Sequence, residues 1–282
     1  MDALRFDSLT PRDLEGALRL SVQAGWNQTP ADWRRLLDLS PGGCIAGRLA
    51  GRLAATATVV AYGARVGWIG MVLVDEAFRG RGLGTALLHE AVACAGRLGV
   101  EASGLDATDL GHPVYLKIGY SDVDPIDRWG GALRATGPAR GTIPIGRRDL
   151  DAVAGLDSEA CGVDRHELLS HLLSEPEVAG WVCRDDDGLH GHAFLRPGRE
   201  HAHLGPVVAE DAAALRMLLA AAAPLLKGRT VLIDAPRDPA TSGALSAAGL
   251  EVRRRLTRMT RPRAVPLLLG ERIRAVTAFE WG

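Results

Sequence analysis

The sequence of 282 residues lacks the features of several large classes of protein. No apolar stretch approaches the ~20 residues that a helix needs to span a bilayer, and the first residues lack the long apolar segment of a signal peptide. The four cysteines show no C-x-x-C spacing, so we expect reduced thiols and neither a disulfide framework nor a zinc site. These absences predict a soluble, cytoplasmic protein without a membrane partner.

Neither sign of charge is in excess. Lysine and arginine total 33 and aspartate and glutamate 34, which gives a formal net charge of -1. A global basic field that would attract nucleic acid is therefore absent, and we interpret the run Arg253–Arg255 as a solvated strand end because no aromatic residues interleave it. The composition is that of a globular protein, and the length suggests about two domains. A monomer and a homodimer both remain open.

The most informative segment is Arg79–Gly84, with the sequence Arg-Gly-Arg-Gly-Leu-Gly, which lies between an apolar run and a helical pattern. The first turn of a helix has amide N–H groups without partners and the positive end of the helix dipole, so it favours an anion. Arg79 and Arg81 add positive charge, and the three glycines remove the Cβ atoms that would block a pyrophosphate. The alternative interpretation of the same residues is a glycine-rich turn with two solvated arginines.

Two other phosphate-binding loops do not fit this segment. A P-loop requires Gly-Lys-Ser/Thr, whereas Gly84 is followed directly by Thr85. The dinucleotide fingerprint requires G-x-G-x-x-G after an opening βαβ unit, whereas the glycines here run Gly80-x-Gly82-x-Gly84. A pyrophosphate site built on Arg-x-x-Gly-x-Gly is what remains.

The segment 71–88 resembles the acetyl-CoA motif of the GCN5-related N-acetyltransferase (GNAT) superfamily, whose signature is Arg/Gln-x-x-Gly-x-Gly/Ala. Arg79, Gly82 and Gly84 match that signature. Downstream, residues 113–120 resemble the second signature of the superfamily, because Tyr115 stands four residues before a Gly-Tyr pair. With both signatures present in this order, the chain resembles a GNAT enzyme.

The order of elements around this motif recurs in the second half of the chain, but the motif itself does not. No Arg-x-x-Gly-x-Gly precedes the second long helical pattern, and Leu245 stands where Tyr115 stands in the first half. This layout resembles tandem GNAT proteins with a degenerate C-terminal domain and predicts one coenzyme site per chain. The expected boundaries are a catalytic domain at 1–135, a Gly/Pro-rich linker or edge connection at 136–145, a degenerate GNAT-like domain at 146–262 and a C-terminal tail at 263–282.

The expected fold class is α/β, with a mixed, mostly antiparallel twisted sheet and helices on both faces in each domain. Helices are predicted to begin at Pro11, after the cap Thr10, and to span 30–39 and 212–226. The helix that follows the glycine loop is predicted to end at Gly99 and to lead into a strand parallel to the one before it.

The resemblance also implies which residues bind the coenzyme and the acceptor. Acetyl-CoA is expected as the co-substrate, held by Val72, Leu73, Val74, Arg79, Gly80, Arg81, Gly82, Leu83, Gly84 and Thr85, with the strand ending at Val74 splayed from the next strand. The helix-joining segment Trp26, Asn27 and Gln28 is expected to form one wall of the acceptor site. The alternatives are a structural plug for the tryptophan and turn or cap roles for the other two.

The chemistry of amide formation requires a proton donor for the departing thiolate and an acceptor for the amine proton. Tyr115 is the candidate acid, although it could instead be a core aromatic. Asp106 is one candidate base, with capping of the following loop as its alternative, and His112 is a second candidate. Because no cysteine is placed near the loop, direct attack by the amine in a ternary complex is preferred.

Four histidines form a second constellation. A two-residue hairpin would set His192 opposite His203 and place both, with His190 and His201, on one face where they could bind zinc or nickel. Histidines that line a cleft would give the same pattern, so no metal is expected.

Two function classes follow from the sequence as a whole: an acetyl-CoA-dependent N-acetyltransferase acting on a primary amine of a small molecule or peptide, and a non-catalytic acyl-CoA-binding or regulatory module.

Overall fold

The computed structural model describes residues 4–134, 137–262 and 268–282. Its strands are β1 Arg5–Ser8, β2 Cys44–Leu49, β3 Arg52–Tyr62, β4 Val66–Val74, β5 Ala102–Ala107, β6 Ser121–Gly131, β7 Thr142–Pro144, β8 Ala179–Asp185, β9 Gly188–Arg196, β10 Ala202–Ala209, β11 Val231–Pro236, β12 Glu251–Arg261 and β13 Ile273–Ala275. Its helices are α1 Leu14–Gln23, α2 Pro30–Leu39, α3 Leu83–Arg97, α4 His112–Lys117, α5 Leu150–Cys161, α6 His166–Ser174, α7 Ala212–Leu226 and α8 Pro239–Ala247. Within these ranges no helix is both long and apolar enough to cross a membrane.

Local sequence signals account for most of these boundaries. α2 and α7 begin and end at the predicted residues, and Thr29 caps α2 by accepting a hydrogen bond from the amide of Asp32. Gly99, the predicted end of this helix, lies just beyond α3 with φ +74°, in the left-handed conformation that often ends a helix. One start differs from its prediction: Pro11 opens a 3₁₀ turn, and α1 begins only after it, at Leu14.

The strands form one continuous sheet in the order β1-β2-β3-β4-β5-β12-β6-β11-β10-β9-β8-β7, with β13 paired to β10. The pairs β4–β5 and β10–β11 are parallel and the others antiparallel, which confirms the mixed, mostly antiparallel sheet. β7 extends the sheet at its β8 edge from inside the predicted linker, so 142–144 are an edge connection. Residues 135 and 136, at the predicted domain boundary, lie outside the described residues.

The two halves of the chain exchange a strand. β6, from the first half, pairs with β11 and β12 of the second half, and β12 in turn pairs with β5 of the first. Each half therefore completes the sheet of the other. This exchange places β12 directly beside β5 of the first half, where Arg258 pairs with Asp106.

Helices cover both faces of the sheet, as predicted. Along β3, Val60 and Tyr62 face a core that contains residues of α1, α2, α5 and α6, whereas Ala57 and Val59 face a core with α3. α7 and α8 cover the second half of the sheet around a third core. Cys44, Cys94, Cys161 and Cys183 are all buried and unpaired.

The segment 268–282 is part of the core, although it was predicted to be a tail. β13 pairs with β10, and Trp281 is fully buried. The segment crosses the first half's sheet, where the indole Nε1 of Trp68 donates to the carbonyl of Phe279 at 2.8 Å and the hydroxyl of Tyr62 donates to the carbonyl of Trp281 at 2.6 Å. Residues 263–267 of the predicted tail lie outside the described residues.

Candidate active site

The glycine loop has the backbone that only glycine adopts easily. Gly80 has φ +76° and Gly82 has φ +77°, both in the left-handed region. A Cβ atom built on either glycine would have no protein atom within 4 Å, and one on Gly84 would meet only the side chain of Val74 at 3.8 Å. Open space therefore lies directly over the loop, on the side where a ligand can approach the backbone.

The start of α3 is not capped by a side chain. Its N-cap is Gly82, its first turn has no acidic residue, and the amides of residues 80–85 donate to no acceptor in the described part of the chain. These free N–H groups and the helix dipole together favour a bound anion. The loop thus fits a diphosphate, which would accept hydrogen bonds from these amides.

The two loop arginines differ in position. Arg79 lies on the loop's open side, where its Nε donates to the carbonyl of Val74 at 3.1 Å and its Nη1 lies 3.3 Å from a carboxylate oxygen of Glu76. Arg81 points away, with its guanidinium 5.5 Å from the ring centre of Phe78. Arg79 is the better placed of the two to contact an anion.

The equivalent position in the second half is closed to an anion. There, the side chain of Asp211 caps α7 by accepting hydrogen bonds from the amides of Ala213 and Ala214, each at 2.8 Å. A carboxylate already occupies the place that a phosphate would take and repels a second negative charge. Leu245, which stands where Tyr115 stands in the first half, is fully buried.

β4 and β5 splay apart beside the loop. Their parallel pairing ends at Trp68 and Gly104, although β4 continues to Val74 and β5 to Ala107. Met71, with φ +50°, lies in β4 where its register with β3 shifts, and its carbonyl accepts a hydrogen bond from Thr56. The resulting V-shaped gap leaves the last residues of β4 without a strand partner on that side, as the resemblance implied.

A cavity of about 670 Å³ joins the glycine loop to this gap. Of the residues predicted for the site, Arg81, Asn27 and the second candidate base His112 do not line it. The others do: Trp26, Gln28, Val72, Leu73, Val74, Arg79, Gly80, Gly82, Leu83, Gly84, Thr85, Asp106 and Tyr115. Residues from three separate parts of the first half therefore meet around one space.

Tyr115 lies on α4 with its ring half-buried in the cavity wall. The ring packs over Gly111 and against Tyr120, whose ring centre is 6.2 Å away. Burial, together with Tyr120, raises the pKa of Tyr115 to about 12. The phenol therefore stays protonated at neutral pH, which an acid requires. His112, at the start of the same helix, contacts Asp122 at 2.7 Å.

Asp106 reaches the cavity but its carboxylate is already engaged. Its two oxygens accept hydrogen bonds from Nε and Nη2 of Arg258 on β12, at 2.8 and 2.9 Å, and both side chains are fully buried. Burial raises the pKa of Asp106, and the adjacent guanidinium acts in the opposite direction. A carboxylate in such a bidentate pair is a poor acceptor for a substrate proton. Asp106 instead joins the two halves of the chain.

The predicted acceptor wall divides in two. Trp26 and Gln28 line the cavity, whereas Asn27 turns towards the loop between β9 and β10. Its Oδ1 accepts from the amides of Glu200 and His201, at 2.9 and 3.1 Å, and its Nδ2 donates to the carbonyl of His201 at 2.9 Å. Asn27 therefore links the two halves and does not contact the cavity.

Replacing Asn27 with alanine is expected to lower the free energy of unfolding by about 1–3 kcal/mol, because three hydrogen bonds between the halves are lost. Coenzyme affinity should not change, since the glycine loop is untouched. Urea denaturation measures the first quantity and calorimetric titration with coenzyme A the second. Unchanged stability combined with a raised KM for an acceptor amine would instead indicate that Asn27 contributes to acceptor binding.

The cavity lining also includes charged and aromatic residues from distant parts of the chain that local patterns did not assign to the site, among them Arg128, Arg254, Phe279 and Glu280. Arg128 is bound by Asp234 at 2.7 Å and stacks over the ring of Phe279 at 4.3 Å. One sequence signal was available, because Phe279 and Trp281 flank Glu280 and such aromatic density is unusual for a solvated tail.

The histidine constellation does not form. β9 pairs with β10 so that His203 lies opposite Arg196 and His192 opposite Val208, with residues 197–201 in the loop, so the predicted two-residue hairpin is wrong. His190 contacts Asp185 and Glu210 at the surface, whereas His192 is buried 3.3 Å from Asp157. Among the described residues, no group of three or more His, Cys, Asp or Glu side chains is arranged to hold a metal ion.

Comparisons with known proteins agree with this architecture. A model described as the acetyltransferase (GNAT) family matches residues 13–120, and one described as an acetyltransferase (GNAT) domain matches residues 153–268. A holothin acyltransferase from Pseudoalteromonas sp. (strain SANK 73390) is 27% identical over 265 residues, which cover 93% of this chain and 89% of that protein.

Solved structures share the fold over the whole chain. A putative acetyltransferase from Pyrococcus horikoshii superposes with a TM-score of 0.87 at 19% identity, covering 100% of this chain and 97% of the other. A tandem GNAT protein from the clavulanic acid biosynthesis pathway superposes with a TM-score of 0.66 at 17% identity, covering 92% and 98%. With both halves matched, the chain belongs to the GNAT acyltransferase superfamily and carries two GNAT domains in tandem.

Proposed function

We propose that this protein transfers an acetyl group from acetyl-CoA to a primary amine of a small molecule or peptide. The observation that carries the proposal is the continuity of one cavity from the glycine loop, past the splayed end of β4, to Tyr115 and Trp26. A coenzyme that binds at one end and an amine at the other would meet in the middle. A relative named as an acyltransferase supports transfer of an acyl group.

Binding is assigned to the backbone. The amides of residues 80–85 would hold the diphosphate, with Arg79 adding charge at the loop's open side. The unpaired edge of β4 at Val72–Val74 offers backbone groups to the amide-containing arm of the coenzyme, in the way that one strand pairs with another. A backbone donor on this edge also provides a hydrogen bond for the carbonyl oxygen as charge develops on it.

Proton transfer and acceptor binding are assigned to side chains. Tyr115 supplies a proton to the departing sulfur, because its phenol is protonated, lines the cavity and makes no hydrogen bond within the described part of the chain. Trp26 lines the same cavity and provides an apolar surface for the acceptor. Cys94 is buried and its pKa is raised by burial, so a covalent cysteine intermediate is not favoured and the amine attacks directly.

Release of free thiol from acetyl-CoA in the presence of a panel of amines tests this proposal. We expect acceptor-dependent thiol release together with binding of one coenzyme A per chain. Binding of coenzyme A without thiol release from any amine would favour a non-catalytic acyl-CoA-binding or regulatory module. Because α7 of the second domain is capped by Asp211, we expect no second molecule of coenzyme A to bind.

A further inference from the structure

The cavity contains one buried carboxylate whose environment differs from that of all the others. Glu280 is 3% exposed and lines the cavity. In the described part of the chain it forms no ion pair with an arginine or lysine, and its Oε2 accepts a hydrogen bond from Nε2 of Gln28 at 3.0 Å. The other buried carboxylates of the described residues each pair with an arginine, as Asp32–Arg35, Asp75–Arg19, Asp106–Arg258, Asp127–Arg237, Asp149–Arg184, Asp157–Arg165 and Asp234–Arg128.

The backbone places Glu280 against β4, the strand that splays from β5. Glu280 packs so closely on β4 that a Cβ atom built on Gly70 would lie 2.8 Å from the Cα of Glu280. Gly70 precedes Met71, where the register of β4 shifts and the strand turns into the V-shaped gap. Across the cavity wall, the Oε1 of Gln28 has no hydrogen-bond partner although the side chain is nine-tenths buried. The carboxylate of Glu280 thus lies in the cavity wall beside the splayed strand and next to a second buried oxygen acceptor, where a hydrogen-bond donor such as an amine is favoured.

We propose that Glu280 is the general base of the reaction and that Gln28 positions it. This inference rests on the proposed N-acetyltransferase function. A base contributed by the segment after the second domain would explain why a fold with one coenzyme site retains a second, degenerate domain. The segment 268–282 carries Glu280 to the cavity and pairs with β10 of that domain through β13.

The proton balance uses two residues of this chain. The amine enters as the neutral base, and Glu280 accepts one of its N–H protons as the nitrogen bonds to the thioester carbonyl carbon. As the C–S bond breaks, Tyr115 gives its phenolic proton to the sulfur. One amide and one thiol form, and the proton on Glu280 returns to Tyr115 through solvent, which restores both groups.

The surroundings favour a base of intermediate strength. Burial and the nearby Asp32 on α2 raise the pKa of Glu280, whereas Arg196 on β9 and Arg128 on β6 act in the opposite direction. A carboxylate with a raised pKa accepts a proton more readily than an ordinary one. Burial makes ionisation of Glu280 less favourable in the folded protein than in the unfolded chain. The free energy of unfolding therefore falls as the pH rises through this raised pKa.

Replacing Glu280 with glutamine tests the assignment through rate and stability together. The substitution keeps the shape and an acceptor for Gln28. We expect kcat for thiol release with the best amine of the panel to fall about 100-fold, while the affinity for coenzyme A in calorimetry is unchanged. The acid limb of the pH–kcat profile should disappear. Tm should exceed that of the wild type at pH 8 and equal it at pH 4, because glutamine avoids the cost of a buried charge.

Two further variants separate catalysis from structure. Gln28→Met removes the donor to Glu280, which disfavours the ionised carboxylate, so the acid limb should move to higher pH. Glu159→Gln, a matched change at a side chain that is 70% exposed, should leave both the profile and kcat unchanged.

The outcomes distinguish this inference from the function on which it rests. A wild type that binds coenzyme A but releases no thiol overturns both. An active wild type with an equally active Glu280→Gln variant overturns the base assignment alone, as does an acid limb that stays in place in Gln28→Met.

Discussion

Replacing Gly82 with alanine is expected to weaken the binding of coenzyme A by at least about 100-fold, because two or more charge-assisted hydrogen bonds to the diphosphate are lost. Gly82 has φ +77°, and the space over its Cα contains no protein atom within 4 Å. A methyl group there enters the volume that the phosphates need, and the left-handed backbone becomes strained. Calorimetric titration measures the affinity directly.

Two glycine-to-alanine controls separate the loss of space from the loss of stability. Gly63 has φ +57°, and a Cβ atom built on it would also have no neighbour within 4 Å, but it lies in the turn between β3 and β4, away from the cavity. Gly63→Ala should therefore be destabilised by about 1–2 kcal/mol and bind coenzyme A normally. Gly96 is inside α3 with open space around it, so Gly96→Ala should bind normally and gain about 0.5–1 kcal/mol. Equal affinity in the Gly82 and Gly63 variants would contradict the phosphate-binding assignment.

Replacing Tyr115 with phenylalanine is expected to lower kcat by about 100-fold or more, because the packing survives and the proton donor for the leaving sulfur does not. Coenzyme affinity should be unchanged. The pKa of Tyr115 is raised to about 12, so the phenol is fully protonated below about pH 11 and its ionisation produces no basic limb in the usual range. Thiol release across pH 6–10 measures both features.

Tyr120 is the matched control for this variant. Its hydroxyl lies 2.6 Å from that of Ser103, it does not line the cavity, and its ring contacts that of Tyr115. Tyr120→Phe should therefore cost stability and leave kcat near the wild-type value. Full turnover in Tyr115→Phe across the pH range would show that Tyr115 is a packing residue only.

The parts of the fold that the sequence predicts are those in which the cause is local. The positive φ of Gly80 and Gly82, the uncapped start of α3 and the ends of α2 and α7 depend on residues a few positions apart, and the patterns located them. The missing loop in the second half likewise predicts a closed site, and Asp211 is the residue that closes it.

The parts that the sequence does not predict depend on distant pairing. Asp106 looked like a free strand-end carboxylate because its partner Arg258 is 152 residues away, on a strand exchanged between the halves. Asn27 was assigned to the acceptor wall from its local position between two helices. Its hydrogen-bond partners lie in the loop after β9, and His201 is 174 residues away. The hairpin of histidines failed on loop length, which side-chain alternation does not report.

Glu280 is the strongest example of a site residue without a local signal. It lies 252 residues from Gln28, and no spacing rule connects it to the glycine loop. Its position follows from the pairing of β13 with β10 and from the close packing that Gly70 permits. A fold in which the halves exchange strands thus builds this part of the cavity wall from both ends of the chain.

Calorimetric titration of the purified protein with coenzyme A, performed in parallel with the Gly82→Ala variant, tests most directly whether the amides of residues 80–85 bind a diphosphate. We expect a stoichiometry of one per chain in the wild type and no measurable heat in the variant at the same concentrations. No binding to the wild type, two sites per chain, or equal binding to both proteins would contradict this assignment.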